Sequence, residues 1–351
     1  MKNRPAIKSI FILTLCISLW NCQNKDKNTG KIETKDIESV DLFIDFEQDG
    51  VVQPVSIEYI GDDQLAILDG KLKEVFLFNT DAEFQKRFGG EGKGPGEFSR
   101  PLYVSQTGDQ LHVIDGNLMR ASRFDRTGTF KESFPFEGNP FTSHLTVMGP
   151  QKYVAGTQGR ENSLLKIVDL KEDTTIYFGQ AMAESQVSPN LEQARQQLSN
   201  GEIPTLVKND VKIFYDDAGN NIFVFLSAYS QLQKYDTKGK LIWKKDIDLK
   251  VNDAIFEQLV KRAEKSPEAA MPVVQHITAM KVVNGTAYLF WVPVEGHRRK
   301  IVKVGADGTI ETIYNLPKMD PMFFDFTVDP ASNTIFCTAP RMGQVYKASL
   351  P

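Results

Sequence analysis

Two stretches of the chain repeat one pattern, and that pattern decides the fold. Leu65-Ala-Ile-Leu-Asp69 is followed by Val75-Phe-Leu-Phe78, and Leu111-His-Val-Ile-Asp115 is followed by Arg123-Phe124-Asp125. Asp69 and Asp115 are 46 positions apart, as are Phe78 and Phe124. Short apolar, β-branched runs bounded by turn residues indicate strands. Their recurrence after about 45 residues indicates a repeat architecture.

Four further copies of the unit follow along the chain, in residues 164–169, 222–239, 288–308 and 335–347. Two of the intervals are about 23 residues too long, and each contains a segment of helical composition, 181–200 and 252–266. In the second segment, Ile255, Leu259 and Val260 lie on one helix face. Six units of three to four strands predict an all-β fold, a six-bladed β-propeller with two short helical inserts.

Closure of the ring is predicted from the two ends of the chain. The last unit ends at Pro351, just after its third strand, whereas the β-rich residues 40–46 have no other assignment. We expect this N-terminal strand to complete the last blade, because an unpaired sheet edge is a liability. The propeller is therefore predicted over 40–351. A seven-bladed alternative would need another unit within 180–275, where the composition is helical.

The N-terminal residues have the pattern of a targeting signal. Lys2, Arg4 and Lys8 precede an apolar run over residues 10–20. This run of eleven residues is too short to cross a bilayer as a helix, and the arrangement is typical of a secretory signal peptide. Residues 1–21 are therefore predicted to be a signal peptide.

Leu19-Trp20-Asn21-Cys22 resembles a bacterial lipobox, although that pattern usually has small residues at the positions of Trp20 and Asn21. The resemblance implies that Cys22 is lipidated and becomes the first residue of the mature chain. The alternative is an ordinary signal peptide cut elsewhere. The polar residues 22–39 are predicted to be a flexible tether. We expect an exported protein of the cell envelope, anchored by lipid to the outer membrane, with its side of that membrane left open.

Composition excludes several classes of protein. Hydrophobic residues make up 41% and charged residues 25% of the 351 residues, which is ordinary for a packed domain. Removing residues 1–21 takes away three positive charges and changes the formal charge from −4 to −7. We therefore expect no nucleic-acid partner. Three cysteines exclude a disulfide scaffold and a Cys-rich zinc module.

One connection between units resembles a known family. Gly92-Lys-Gly94-Pro95-Gly96-Glu97-Phe98, with Pro101 behind it, is similar to the inter-blade connection of NHL-type propellers, and residues 108–128 are similar to the rest of an NHL repeat. The whole chain resembles the six-bladed propeller lipoproteins of bacteria. The glycine-rich loop lacks the Gly-Lys-Ser/Thr of a phosphate loop, so we interpret its glycines as turn residues.

Catalytic patterns are weak. No pair of histidines has a metal-ligand spacing, no nucleophile elbow is found, and Cys337 lies in a predicted strand. Six-bladed lactonases hold calcium at the axis with acids, for which Asp69 and Asp115 are candidates; the alternative is that both are turn residues. We expect no metal or other cofactor, with calcium as the alternative.

The loops between the second and third strands of the units suggest a binding face. Five of these six loops carry a cation, and the sixth carries a tyrosine. We call this set the predicted binding face: Lys71, Lys73, Arg120, Arg160, Tyr229, His297, Arg298, Arg299 and Arg341. Convergent guanidinium groups suit carboxylates and phosphates.

Three functional hypotheses follow from these features. The favoured one is a lipid-anchored, non-enzymatic module that binds a small anionic ligand, a peptide, a glycan or an envelope protein. The alternative is a metal-dependent, lactonase-like hydrolase or a lyase that uses the central channel. A third is a structural subunit of an envelope complex that docks through the helical inserts.

Overall fold

The computed structural model describes residues 32–138, 140, 144–185, 190–265, 273–319 and 321–351. The predicted signal peptide and Cys22 lie outside the described residues. Within those ranges, the helices are all too short or too polar to cross a bilayer.

Six sheets of strands form the blades. Two early strands, β1 (Glu33–Asp36) and β2 (Asp41–Asp45), belong to the blades that end the chain, and a short helix, α1 (Phe46–Asp49), follows them. The strands of the first blade are β3 to β6, Pro54–Gly61, Gln64–Asp69, Glu74–Asn79 and Phe84–Gly89. Those of the second are β7 to β10, Pro101–Thr107, Gln110–Asp115, Arg120–Asp125 and Phe130–Pro135. Those of the third are β11 to β14, Leu145–Gly149, Lys152–Gly156, Ser163–Asp169 and Thr174–Gln180.

The remaining blades contain the two inserts and the ring closure. The fourth is β15 to β18, Val211–Asp216, Asn221–Leu226, Gln231–Asp236 and Leu241–Asp246. The fifth is β19 to β22, Ile277–Val283, Thr286–Trp291, Lys300–Val304 and Ile310–Asn315. The sixth is β23 to β25, Phe326–Asp329, Thr334–Ala339 and Gln344–Ser349, completed by β2. The predicted all-β fold, a six-bladed β-propeller closed by an N-terminal strand, is confirmed.

Both predicted inserts are present as helices. The first, α2 (Leu191–Ser199), precedes β15, and the second, α3 (Val251–Lys265), precedes β19. The two helices contact each other, and their apolar sides meet in one cluster that includes Leu198, Ala263 and Val274. The inserts therefore form a small helical layer above the fourth blade.

The apolar core is divided among the blade interfaces. Among the described residues, each of six apolar clusters joins two neighbouring blades, one cluster for every pair around the ring. Between the sixth and first blades, Phe43 of β2 packs on Phe336, with 4.9 Å between ring centroids. Each blade buries both faces only when both neighbours are in place, so the ring is stable only when closed.

The residues before β2 differ from the sequence prediction, which assigned 22–39 to a tether. Strand β1 pairs in parallel with β22 as a fifth strand of the fifth blade. Ile37 is 2% exposed, and its backbone N–H donates to the carbonyl of Asn315 at 2.9 Å. Residues 33–37 therefore belong to the propeller, where they cover the outer edge of the fifth blade.

We predict that ring closure depends on the inward side of β2. Ile44 is fully buried against the first and sixth blades, whereas Leu42 on the same strand is 50% exposed. Ile44→Ala should lower the free energy of unfolding by about 2–5 kcal/mol, the usual cost of truncating a buried aliphatic side chain. Leu42→Ala is the matched control and should change it by less than about 0.5 kcal/mol. Urea denaturation measures both; equal losses in the two variants would contradict this account of closure.

Candidate functional site

The first strands of the blades surround the axis of the ring. A cavity of about 290 Å³ lies among them and is lined by residues from all six blades, including Asp325 just before β23. We call it the channel cavity. A second space of about 360 Å³, the mouth cavity, shares His144, Lys212, Thr278 and Phe324 with it and reaches the residues behind α3. The mouth cavity is lined mainly by residues at or just before the starts of first strands.

Three buried charges meet in the channel. The ammonium of Lys281 in β19 lies 2.7 Å from Oε2 of Glu58 in β3 and 3.6 Å from Oδ2 of Asp325. The same Asp325 oxygen accepts hydrogen bonds from the Ser56 hydroxyl at 2.9 Å and the Ile57 N–H at 3.1 Å. These contacts join the first, fifth and sixth blades.

The pKa values in this network follow from burial and charge. Burial raises the pKa of Glu58, and the nearby Lys281 only partly offsets this shift. Burial by itself lowers the pKa of Lys281, but the carboxylates of Asp325 and Glu58 outweigh it, and the net shift is upward. Lys281 is therefore held as a cation that neutralises buried carboxylates.

Lys212 in β15 lacks such a partner. Among the residues that the structure describes, its ammonium forms neither a hydrogen bond nor an ion pair. Burial lowers the pKa of Lys212, while the more distant carboxylates of Asp325 and Asp210 act in the opposite direction. A partly buried ammonium without a partner is costly, which makes Lys212 a candidate to bind a ligand.

Asp210 lies two residues before Lys212, and both side chains line the mouth cavity. One Asp210 oxygen accepts a hydrogen bond from the Gln158 amide at 3.2 Å. Burial raises the pKa of Asp210 to about 6, against the opposing effects of Gln158 and Lys212. The mouth cavity therefore contains a carboxylate and an ammonium that are near each other but not paired.

His144 lies between the two cavities as a neutral ring. It stacks on Tyr103 with 4.6 Å between ring centroids and 19° between planes, and its Nδ1 accepts the N–H of Ile213 at 3.2 Å. Burial, with the charges of Lys212 and Lys281, lowers the pKa of His144 to about 3. With Nδ1 accepting, the ring proton is on Nε2.

The predicted binding face is distributed differently from this site: none of its nine residues lines the channel or the mouth cavity. Arg120 donates to the carbonyls of Lys93, Gly94 and Glu97 at 2.7–3.1 Å. Its guanidinium therefore holds the glycine-rich connection in place. Within that connection, the Gly94 N–H also donates to the Glu97 carboxylate at 2.8 Å.

Arg298 and Arg299 are also engaged within the fold. Arg298 lies 2.6 Å from an Asp36 oxygen and donates to the carbonyls of Asn315 and Leu316, so it fixes β1 to β22. Arg299 stacks on Phe290 at 4.0 Å and donates to the Phe323 carbonyl at 2.7 Å.

The other members of the predicted binding face are dispersed. His297 lines a separate cavity of about 400 Å³ together with Arg298 and Arg299, and Tyr229 packs beside the helical layer. Lys73 pairs with Glu91, whereas the side chains of Lys71, Arg160 and Arg341 are exposed.

The two candidate axial acids are turn residues. Asp69 is fully buried and accepts four backbone N–H groups, those of Val52, Gln53, Lys71 and Leu72. Asp115 makes the same set of bonds one blade later. The turn interpretation is confirmed, and neither acid lines the channel cavity. Within the described ranges, no three metal-ligating side chains group together.

Sequence reasoning missed the channel residues because the repeat was recognised from second and third strands. Glu58, Lys212 and Lys281 stand on first strands, far apart in the chain. A signal was present: each is a charged residue between apolar neighbours, as in Val211-Lys212-Ile213 and Met280-Lys281-Val282. Isolated charges within predicted strands can indicate inward-facing polar sites.

We predict that Lys281→Met destabilises the ring in a pH-dependent way. At pH 7 the loss should be about 3–5 kcal/mol, because two buried carboxylates lose their counter-ion. The raised pKa of Glu58 should rise further in the variant. A carboxyl group whose pKa is higher in the folded than in the unfolded state lowers the free energy of unfolding once the pH exceeds its unfolded-state pKa. The deficit should therefore grow as pH rises above 4.5, the ordinary pKa of glutamate.

Urea denaturation at pH 5 and pH 7 measures this difference. Lys244→Met, on the exposed outer strand of the fourth blade, is the control and should be close to neutral at both pH values. A deficit in Lys281→Met that does not change with pH would contradict the proposed role of the carboxylates.

Comparisons with known proteins agree with this architecture. The sequence profile of the family DUF5128, described as a 6-bladed beta-propeller, matches residues 27–153. No curated protein matches the chain by sequence.

Solved structures are similar in fold. A predicted exported protein of Bacteroides fragilis superposes with a TM-score of 0.55 at 10% identity, covering 90% of this chain and 98% of that one. A DUF4221 family member from Bacteroides vulgatus gives 0.52 at 7% identity, covering 90% and 94%. The WD40 repeats of RRP9 give 0.51 at 8% identity, covering 92% and 100%. At such identities the likeness shows a shared fold alone: this chain is a six-bladed β-propeller.

Proposed function

We propose that this protein is an exported, lipid-anchored propeller of the cell envelope that binds a ligand at the mouth of its central channel. The observation that carries the proposal is Lys212, an ammonium in the wall of both cavities that forms no hydrogen bond or ion pair among the described residues. By contrast, the ammonium of Lys281, which also lines the channel cavity, is paired with Glu58. An arriving ligand can supply the group that Lys212 lacks.

Topology supports a larger ligand that presents a small group to the channel. The first strands begin at the mouth, and the antiparallel third strands begin at the same end. The loops with the exposed side chains of Lys71, Arg160 and Arg341 therefore surround the mouth on the same face of the ring. A peptide, a glycan fragment or a protein segment can contact these loops while one of its groups enters the cavity.

We predict that Lys212→Met loses ligand binding without loss of the fold. Ligand-observed NMR against a library of short peptides and oligosaccharides should identify binders of the wild-type chain. Their affinity should fall about tenfold or more in Lys212→Met, since a hydrogen bond to a charged group contributes about 1.5–3 kcal/mol.

Lys244→Met carries the same substitution on an outer strand and should bind normally. Equal binding by wild type and Lys212→Met, or no binder in the library, would argue against the proposal. Stoichiometric calcium or zinc in the purified protein would favour the metal-dependent hydrolase or lyase instead.

The anchoring part of the proposal rests on Leu19-Trp20-Asn21-Cys22. The fold of a predicted exported protein is consistent with export. Cells expressing the full chain and labelled with radioactive palmitate should yield a labelled, membrane-bound protein. Cys22→Ser should abolish the label, because the thiol is the acceptor. Cys16→Ser, inside the apolar run, is the control and should keep it. Persistent labelling of Cys22→Ser would refute lipidation at this site.

A further inference from the structure

The mouth cavity contains two opposite charges that do not neutralise each other directly. Asp210 and Lys212 line the same space, yet they form no ion pair with each other. Each nevertheless shifts the pKa of the other through its charge. The two residues are two positions apart in the chain and line one cavity of about 360 Å³, so one small molecule can contact both.

The other titratable groups near Lys212 either have partners within the protein or are neutral. Asp325 accepts from Ser56 and Ile57 and faces Lys281, and Glu58 is paired with Lys281. His144 is neutral, because burial holds its pKa at about 3. Within the part of the chain that the structure describes, the Asp210 carboxylate accepts a hydrogen bond only from the Gln158 amide. Among the described residues of the two cavities, this leaves the Lys212 ammonium and the Asp210 carboxylate to recognise a ligand.

The charge arrangement selects against singly charged ligands. A simple anion could pair with Lys212 but would be repelled by the carboxylates of Asp210 and Asp325. A simple cation could pair with Asp210 but would be repelled by Lys212. A molecule with a carboxylate and an ammonium a short distance apart can satisfy both groups at once, and charged hydrogen bonds of this kind are the strong ones.

The remaining walls favour an apolar substituent of limited size. The apolar residues Val273, Val274 and Phe324 line the mouth cavity together with the polar Gln275 and Thr278. The volume of about 360 Å³ is at the lower end of small-ligand sites. The cavity therefore has room for one or two amino-acid residues, and the rest of any larger ligand would lie outside it against the loops.

We propose that the mouth cavity binds a zwitterion of the α-amino-acid class with an apolar side chain. Its carboxylate pairs with Lys212, its ammonium pairs with Asp210, and its side chain contacts Val273, Val274 and Phe324. The inference rests on the proposed function, since it names the ligand class of the same site.

Three matched probes test it by isothermal titration calorimetry: L-leucine, 4-methylpentanoate, which lacks the ammonium, and 3-methylbutylamine, which lacks the carboxylate. L-leucine should bind wild type about tenfold or more tightly than either analogue, because each analogue leaves one buried charge unpaired. If 4-methylpentanoate binds as tightly as L-leucine, the site recognises anions and the zwitterion inference fails.

Two variants separate the charges. In Lys212→Met, L-leucine should bind no better than 3-methylbutylamine, and in Asp210→Asn it should bind no better than 4-methylpentanoate. This crossed pattern assigns each ligand group to its partner, as a double-mutant cycle does. A general loss of structure would not produce it, and Lys244→Met should bind all three probes as wild type does.

Failure of this inference and of the proposed function can be told apart. If none of the three probes binds while a library peptide or oligosaccharide still depends on Lys212, the ligand-binding function stands and the amino-acid class is wrong. If neither the probes nor the library bind, both proposals are overturned.

Discussion

Closure of the ring by β2 against β25 is the constraint on which the rest of the structure depends. Every blade buries its faces between two neighbours, so a missing contact between the sixth and first blades would expose apolar surface on both. The two strands that make this contact come from opposite ends of the chain. They pair in antiparallel register, with Asp41 opposite Lys347 at one end and Asp45 opposite Gln344 at the other. An antiparallel pair across such a sequence separation forms only when the intervening blades are assembled. Closure therefore couples the stability of all six blades.

The channel site is a consequence of that closure. Glu58, Lys281 and Asp325 come from the first, fifth and sixth blades, and their mutual distances are set by the ring rather than by any local element. The network neutralises charges that would otherwise be costly to bury. Because these charges are paired with one another, Lys212 and Asp210 are left as the groups that face the mouth cavity.

Positive residues in loops serve two purposes in this fold. Arg120 holds the glycine-rich connection between the first two blades, and Arg298 fixes strand β1 through Asp36. Both were predicted to bind ligands because a sequence shows a cation but not the carbonyl groups around it. The guanidinium group has five donors, and in Arg120 they meet three carbonyl oxygens of that connection. Exposed side chains such as Lys71 and Arg341 remain as candidates for contacts with a partner.

The sequence by itself determined the blade number, the positions of both helical inserts and the strand that closes the ring. These features follow from local alternation and from its recurrence at a regular interval, which a single chain displays directly. It also showed that Asp69 and Asp115 could be turn residues. Only the tertiary structure decided that residues 33–37 join the fifth blade and that Lys212 and Asp210 share a cavity. The reason is physical: pairing partners, burial and unpaired charge depend on which distant strands the closed ring brings together.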